Sequence, residues 1–325
     1  MTGIRIIQAC VFISAAAALL LGWLWAADRI AAAVPRRIRR GVLGWLWLAP
    51  AVAFVGLYLA WPLVHTVVLS FRDSSSQAWA GLGNYRYLVD DAAAHSALRN
   101  NLLWLVLLTG VCLGTGLLVA TLADRVRYEG LAKAVVVLPT AIPFVAGAVI
   151  WRFMYQYQPP GLPQTGTVNA VWTTTTGAAP VAWLVDGRTN NVALIAVGIW
   201  MTTGFATVIL SAALKSIPPE LREAARVDGA GSWQVFRHVT LPHLRPTLVV
   251  TTTLLAISAF KAFDIVYVMT NGNFDTDVIA NLMYRQLFVD RDYGRASAIA
   301  VLLAAVAVPI LLINVRATRA ERETA

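Results

Sequence analysis

Long runs of apolar residues dominate the pattern of the chain and predict membrane-spanning helices. A helix needs about 20 apolar residues to cross a bilayer, and seven runs reach that length. They are Ile6–Ala27, Val42–Leu69, Asn101–Leu122, Ala134–Tyr155, Val192–Leu214, Thr247–Met269 and Ala296–Val315. Pro50 and Pro62 are expected to bend or bound the second run. The pattern therefore predicts an all-α, polytopic membrane protein with about seven transmembrane helices.

The distribution of basic residues predicts how these helices are oriented. The first run exceeds the usual core of a signal peptide and its positive charges follow it, which favours a retained helix. With seven spans, segments 28–41, 123–133, 215–246 and 316–325 share one side of the membrane. They carry about twice as many Lys and Arg residues as the segments on the other side. Positive charge marks the cytoplasmic side, so we expect a cytoplasmic C-terminus and an external N-terminus in a bacterial cell membrane.

Composition excludes several classes of protein. The chain is 58% hydrophobic and only 13% charged, with a mean hydropathy of +0.65. These values exclude a disordered chain and a conventional soluble enzyme. Cys10 and Cys112 both lie in apolar runs and the four histidines are scattered, so neither a disulfide framework nor a metal site is expected. The net charge of +9 predicts contact with anionic lipid, as in the arginine run Arg36–Arg40, and no nucleic-acid partner.

The most informative polar segment is Lys215–Gly231, between the fifth and sixth runs. Ser216 is a candidate cap residue, and Pro219 stands where a helix begins without losing hydrogen bonds. The glycines that follow are typical of a helix end. A second short helix, Trp233–Val239, is expected to follow and to end at Pro242. The segment therefore predicts a helix–turn–helix on the cytoplasmic face.

Residue spacing in this segment resembles the EAA loop of binding-protein-dependent ABC importer permeases. The residues that carry the resemblance are Glu223, Ala224, Ala225, Gly229, Val239, Leu241 and Pro242. The family has Ile where this chain has Val239. Stretches 100–102, 213–218, 263–272, 276–281 and 293–298 also resemble sugar permeases of this type. The resemblance covers residues 100–315 and is closest to the first permease subunit of maltose/α-glucoside importers.

The resemblance implies a type I ABC importer core of six helices with one helix added at the N-terminus. Residues 1–40 would be the added helix and a basic linker, and 41–99 the first core helix and an external loop. Residues 100–315 would complete the core, with the EAA-like loop at 215–243, and 316–325 would form a cytoplasmic tail. An ABC ATPase dimer, a second, different permease and an external substrate-binding protein would be the partners.

The resemblance also assigns roles within the EAA-like loop. Its first helix would couple to the ATPase, with Glu223 paired to a basic residue there and Gly229 allowing the turn. Val239, Leu241 and Pro242 would anchor the loop to the membrane domain. The chain contains no Gly-x-x-x-x-Gly-Lys-Ser/Thr phosphate loop. ATP and Mg are therefore expected on the partner ATPase, with no cofactor in this chain.

Charged residues inside the sixth run are candidates for the substrate path. Lys261 and Asp264 are three apart, which would place them on one helical face, and Tyr267 follows three residues later. Ionisable groups within a span are often functional. A structural ion pair near the outer end of the helix, or a contact with the second permease, is the alternative. The segment Ile279–Phe288, beyond this run, is expected to be helical.

A polytopic membrane protein of this kind could belong to one of three functional classes. The sequence favours a permease subunit of an ATP-driven importer for a sugar or oligosaccharide, α-glucoside-like and not itself an enzyme. A secondary transporter would need internal repeats and an intramembrane ion site, and would leave the EAA-like loop unexplained. A membrane-embedded enzyme would need catalytic residues clustered in its spans, which the sequence lacks.

Overall fold

The computed structural model describes residues 14, 18, 21–30, 35, 39–124 and 126–324. Within these ranges the regular structure is helical, and the only β-type pairing is one antiparallel bridge between Arg72 and Trp79. This confirms the all-α prediction. Most of the first predicted run, Ile6–Ala27, and of the arginine run, Arg36–Arg40, lies outside the described residues. The chain divides into two units, Met1–Val68 and Leu69–Ala325.

The first unit is built from helices that follow one another without a loop after residue 39. It contains α1 (residues 21–30), α2 (Arg39–Val55), a π-helical turn (Gly56–Ala60) and most of α3 (Trp61–Leu69). Neither Pro50 nor Pro62 ends the helix, and Leu43–Leu69 is one candidate span. A proline ring clashes with the carbonyl four residues earlier. For Pro62 that carbonyl belongs to Tyr58, which lies in the π-helical turn. The wider hydrogen-bonded turn there leaves space for the proline ring.

The second unit contains the remaining helices. They are α4 (Gly83–Asp90), α5 (Ala92–Ala123), α6 (Glu129–Val137), α7 (Phe144–Met154), α8 (Thr167–Thr176), α9 (Asn190–Lys215), α10 (Pro219–Val227), α11 (Ser232–Val235), α12 (Leu241–Phe260), α13 (Asp264–Met269), α14 (Ile279–Phe288) and α15 (Tyr293–Thr324). Helices α5 and α9 and the stretch Ser232–Met269 are long and apolar enough to cross a membrane. They contain the third, fifth and sixth predicted runs. The seventh run lies within α15, whose apolar part is Tyr293–Pro309, and α14 has the predicted bounds.

The fourth predicted run, Ala134–Tyr155, is not one straight helix. Helices α6 and α7 meet at a 98° bend, with a 3-10 turn over Leu138–Ala141 between them. Ile142 has an extended backbone (φ −85°, ψ 129°) and precedes Pro143. A residue before proline is pushed out of the helical region, so this proline breaks the span. The mean hydropathy of an apolar run does not reveal such a break.

Close packing of α5 against α9 forms the centre of the second unit. The described core includes Trp104 and Leu108 from α5 together with Leu194 and Val197 from α9. Small residues permit the approach, since a Cβ added to Gly116 would lie 2.9 Å from the Cβ of Ala206. Small residues at helix crossings are the usual basis of packing in membrane proteins. The pair positions both ends of the unit, where the candidate functional residues lie.

The second helix of the EAA-like loop continues into the membrane span. Helix α11 passes through a π-helical turn, Phe236–Thr240, directly into α12. The prediction that Pro242 would end this helix is therefore wrong. The carbonyl that Pro242 would clash with belongs to His238, which lies in the π-helical turn. The chain uses the same arrangement here as at Pro62.

Candidate functional site

Helix α10 of the EAA-like loop begins at the predicted proline but not with the predicted cap. Pro218 is the N-cap residue and Pro219 the first helical residue. The Ser216 hydroxyl instead donates to the Ala213 carbonyl oxygen at 2.8 Å, so it helps to close α9. Glu220 lies in the first turn of α10, where its negative charge meets the positive end of the helix dipole. Proline and dipole thus fix the start of α10.

The end of α10 is fixed by Gly229. Its φ is +85°, in the left-handed region that strongly favours glycine. The Gly229 N–H donates to the Arg226 carbonyl, and the Ala230 N–H donates to the Ala225 carbonyl, both at 3.0 Å. This is the Schellman arrangement. A Cβ on Gly229 would meet no atom within 4 Å, so the requirement for glycine here is conformational and not steric.

Helix α10 is ordered and yet lies on the surface. None of its nine residues, all described, is buried. Leu221 is 42% exposed and Val227 86% exposed. In the next helix Trp233 is 68% exposed and stacks on Phe236 with ring centroids 5.6 Å apart. Exposed apolar side chains on an ordered loop are typical of a surface that another molecule covers.

The structure distributes the predicted coupling residues over two clefts. Glu223, which is exposed, lines a cleft of about 280 Å³ together with Arg222 and Arg226. Ala225, Gly229 and Val239 come together around a second cleft, of about 340 Å³. The others lie apart: Ala224 is exposed on α10, and Leu241 and Pro242 form the first turn of α12. The structure therefore does not bring the predicted set together at one place.

Two ion pairs fasten the EAA-like loop to the neighbouring 124–133 segment. Arg222 Nη1 lies 3.7 Å from Asp124 Oδ2. Lys215 Nζ lies 2.6 Å from Glu129 Oε1, and Lys133 pairs with the same carboxylate. Asp124 and Glu129 were not among the predicted site residues. The available signal was the presence of two acids in a short basic segment next to the loop.

Lys261 and Asp264 do not share a helical face. Helix α12 ends at Phe260, Lys261 is its C-cap, and Asp264 is the first residue of α13. Both side chains line one cavity of about 270 Å³ beside this break. No ion pair joins them in the described structure. Tyr267 is not part of the cavity lining: it packs in an aromatic cluster, 5.0 Å from the Tyr284 ring between centroids.

The cavity also contains polar groups that the sequence analysis did not select. Trp104, Thr202 and Ser258 line it beside the two charged residues. The Trp104 indole N–H and the Thr202 hydroxyl are buried and have no protein partner among the described residues. Buried polar groups are normally hydrogen-bonded. Two polar groups that no protein atom pairs therefore lie beside this cavity.

At the opposite end of α9 from the EAA-like loop, buried asparagines hold the 270–278 loop. The Asn100 amide donates to the carbonyl oxygens of Asp275 and Asp277, at 2.8 Å each. Asn190, the first residue of α9, donates to the Phe274 carbonyl at 2.6 Å. Asn101 donates to the Phe260 carbonyl. Asn100, Asn101 and Asn190 are fully buried, so α5 and α9 together fix this loop.

The 270–278 loop is held in an unfavourable backbone conformation. Three non-glycine residues have left-handed φ angles: Asn271 at 53°, Phe274 at 60° and Asp275 at 61°. For Phe274 this conformation costs about 1–2 kcal/mol, whereas asparagine and aspartate tolerate it better. Strain of this size persists only where the surroundings enforce it, and it is concentrated at functional sites.

The pKa values of two aspartates in the 270–278 loop are shifted in opposite directions. A hydrogen bond from Ser96, and then the charge of Arg99, lower the pKa of Asp275. Burial raises the pKa of Asp277, although Arg285 lies 2.8 Å from its Oδ2. The exposed carboxylate is therefore stabilised in its charged form, whereas the buried one is costly to ionise.

Comparison with known proteins agrees with this geometry. Residues 112–322 match the family described as "Binding-protein-dependent transport system inner membrane component". The osmoprotective compounds uptake permease GgtC of Synechocystis sp. is 50% identical over 274 residues, which cover 84% of this chain and 98% of that relative. The α-glucoside transport permease AglF of Rhizobium meliloti is 39% identical over 306 residues, or 93% of this chain and 91% of the relative.

A solved structure confirms the fold class. A chain from the crystal structure of a bacterial ABC transporter that imports the acidic polysaccharide alginate superposes with a TM-score of 0.72 at 27% identity. The match covers 87% of this chain and 97% of that chain. A second structure of a bacterial alginate transporter, in complex with an alginate-pentasaccharide-bound periplasmic protein, also gives 0.72, at 25% identity. These matches exclude the secondary-transporter alternative. The chain belongs to the family of binding-protein-dependent transport system inner membrane components and is a multi-pass permease subunit of an ABC importer.

Proposed function

We propose that this chain pairs with a second, different permease to form one sugar pathway, driven by a cytoplasmic ABC ATPase dimer. One observation carries the coupling part of this proposal: α10 begins at a proline and ends in a Schellman arrangement, and yet none of its residues is buried. A short helix has little stability of its own in water. An ordered one with apolar residues in solvent is explained if a partner protein receives it.

Helix α10 is the coupling helix in this proposal. Glu223 is exposed and, among the described residues, pairs with no cation, so its carboxylate is free to bind a basic residue of the ATPase. Arg222 of α10 pairs with Asp124, the C-cap residue of α5, so movement of α10 reaches α5. Lys215 at the end of α9 pairs with Glu129 at the start of α6, which joins those two helices beside the loop. ATP and Mg²⁺ are held by the ATPase, and this chain itself is not an enzyme.

The basic segments set the orientation that we propose. The EAA-like loop and the C-terminus lie in the cytoplasm, and the 270–278 loop lies outside, beside an external binding protein. The added N-terminal helix begins outside. One of the related alginate transporters was crystallised with a periplasmic binding protein, which supports the same assembly here. The permease core is residues 100–315, in a bacterial cell membrane.

The solute in this proposal is a small sugar of the α-glucoside type. The cavity of about 270 Å³ offers the indole N–H of Trp104, the hydroxyls of Thr202 and Ser258, and two opposite charges. Such a set suits a neutral solute with many hydroxyl groups, because donors and acceptors stand side by side. The relatives support the class: AglF carries α-glucosides, and the alginate transporter carries a polysaccharide.

A pull-down followed by mass spectrometry tests the assembly. The tagged chain is extracted from its native membrane in mild detergent, beside a known ABC importer as a control for complex retention. We expect one ABC ATPase and one different permease to co-purify. Recovery of the chain alone, with the control complex intact, would contradict the proposal.

A second measurement tests the solute. The purified complex is reconstituted in nanodiscs, and its ATPase rate is followed with the cognate binding protein and a panel of maltose, trehalose, other α-glucosides, amino acids and peptides. We expect stimulation by α-glucosides only. Stimulation by amino acids or peptides in place of sugars would overturn the sugar assignment and leave the importer assignment standing.

A further inference from the structure

The geometry points to Phe274 as an anchor by which the external binding protein docks on this chain. This inference rests on the proposed function, since it needs the 270–278 loop to lie outside the membrane. Phe274 is 52% exposed and has a φ of 60°. An aromatic ring held in solvent by a strained backbone is not explained by packing within the chain.

The backbone around Phe274 is fixed from beneath. Asn190 Nδ2 donates to the Phe274 carbonyl at 2.6 Å. On the neighbouring residue, the Asp275 carbonyl accepts from Asn100 at 2.8 Å and from Asn191 at 3.3 Å. The loop therefore presents its ring without the loss of freedom that a flexible loop would suffer on binding. Such pre-organisation is a main source of affinity in protein complexes.

The groups around the Phe274 ring indicate that the molecule that covers it is a protein. Arg99 Nη2 lies 2.5 Å from Asp275 Oδ2, and both side chains are about 60% exposed. Asn191 and Asn273 contribute amide groups to the same rim. An aromatic centre inside a polar rim is the anatomy of a protein–protein hot spot. Hydrocarbon would not accommodate an ion pair and amides, so this ring does not insert into the lipid core.

The position of the ring separates the binding protein from the second permease. Phe274 is held by Asn190, the first residue of α9, so it lies at the end of that span and not along its length. A second permease packs on the lengths of the spans. A soluble protein that arrives from outside meets the tip first. We therefore assign Phe274 to the binding protein.

The test uses the complete transporter in nanodiscs, with both permeases, the ATPase and titrated binding protein. The variants are Phe274→Ala, which removes the ring, and Phe274→Tyr, which keeps it. Val289→Ala is the matched control, because Val289 is 67% exposed in the next connection, between α14 and α15, and has an ordinary φ of −99°. Basal ATPase rate and melting temperature are recorded for every variant.

For Phe274→Ala we expect the binding-protein concentration at half-maximal stimulation to rise about tenfold or more, the size typical of a hot spot. Basal rate and melting temperature should stay as in the parent, and the Tyr and Val289 variants should follow the parent curve. An unchanged curve for Phe274→Ala, or a loss of the second permease on purification, would overturn the docking role. If the parent complex itself shows no stimulation by binding protein, the proposed function fails and the inference with it.

Discussion

The side chain of Asn101 donates a hydrogen bond of 2.9 Å to the main-chain carbonyl of Phe260, the residue at which α12 ends. Its amide oxygen accepts, at 2.7 Å, from the N–H of Ile279 at the start of α14. One buried side chain thus satisfies an end of each of two helices from a third helix, α5. The break beside the cavity is therefore a built feature and not a frayed end.

Replacement of Asn101 by Leu should strongly destabilise the protein. The change leaves a buried carbonyl and a buried N–H without partners, and each unpaired group costs about 1–3 kcal/mol. We expect a clear drop in melting temperature in detergent. Asn273→Ala is the control, because Asn273 is exposed and bonds only within its own loop. Equal melting temperatures for the two variants would show that the Asn101 bridge contributes nothing.

Replacement of Gly229 by Ala should impair transport through the backbone alone. An alanine at φ +85° costs about 1–2 kcal/mol and loosens the end of α10. Gly231→Ala is the matched control, since Gly231 has an ordinary φ of −67°. We expect uptake to fall several-fold for Gly229→Ala and to remain normal for Gly231→Ala. Gly229→Asn should retain more activity than Gly229→Ala, because asparagine tolerates the left-handed region better.

Reversal of the charge on Glu223 should uncouple the permease from its ATPase. The side chain is exposed, so Glu223→Lys should insert and melt as the parent protein does. We expect co-purification of the ATPase and solute uptake both to fall by about tenfold or more, as for loss of an interfacial charge pair. Asp228→Lys, at the exposed C-cap of α10, serves as the control. Parallel losses in both variants would indicate a general charge effect on the loop.

Replacement of Thr202 by Val should raise the KM of solute uptake without lowering the melting temperature of the protein. The hydroxyl is buried without a protein partner, so its removal should leave the melting temperature unchanged or raise it. A lost hydrogen bond to the solute should raise the KM of uptake up to about tenfold. Thr109→Val provides the comparison, because its hydroxyl is equally buried and unpaired but lies outside the cavity lining. A change in KM for both variants would argue against a solute contact at Thr202.

Sequence patterns predicted the second, third, fifth and sixth runs as spans and the ends of α10, because these depend on local composition. Proline at the start and glycine at the end of α10 act on their immediate neighbours. The bend at Pro143 and the break after Phe260 were not predicted, since the mean hydropathy of an apolar run is the same with or without them. The prediction that the helix ends at Pro242 was also wrong, because a π-helical turn accommodates a proline that would usually end a helix.

The asparagine contacts were beyond local patterns altogether. Asn101 meets Phe260 and Ile279 at separations of 159 and 178 residues. The sequence singled out Asn100 and Asn101 only by resemblance. Likewise, the unpaired hydroxyl of Thr202 has no signature in sequence, because pairing is decided by which helices come together. The predicted coupling set is surface chemistry on one short loop, and it therefore remained within reach of a sequence argument.

The uninterrupted passage from α11 through the π-helical turn into α12 has a mechanical consequence. From Ser232 to Phe260 it makes one continuous helical arm about 40 Å long, at 1.5 Å per residue. A tilt of only about 5° imposed at the loop end would displace the far end by about 4 Å over that length. The far end is the break that carries Lys261. Small closures of a partner at one membrane face would thus become displacements as large as a hydroxyl group at the wall of the cavity.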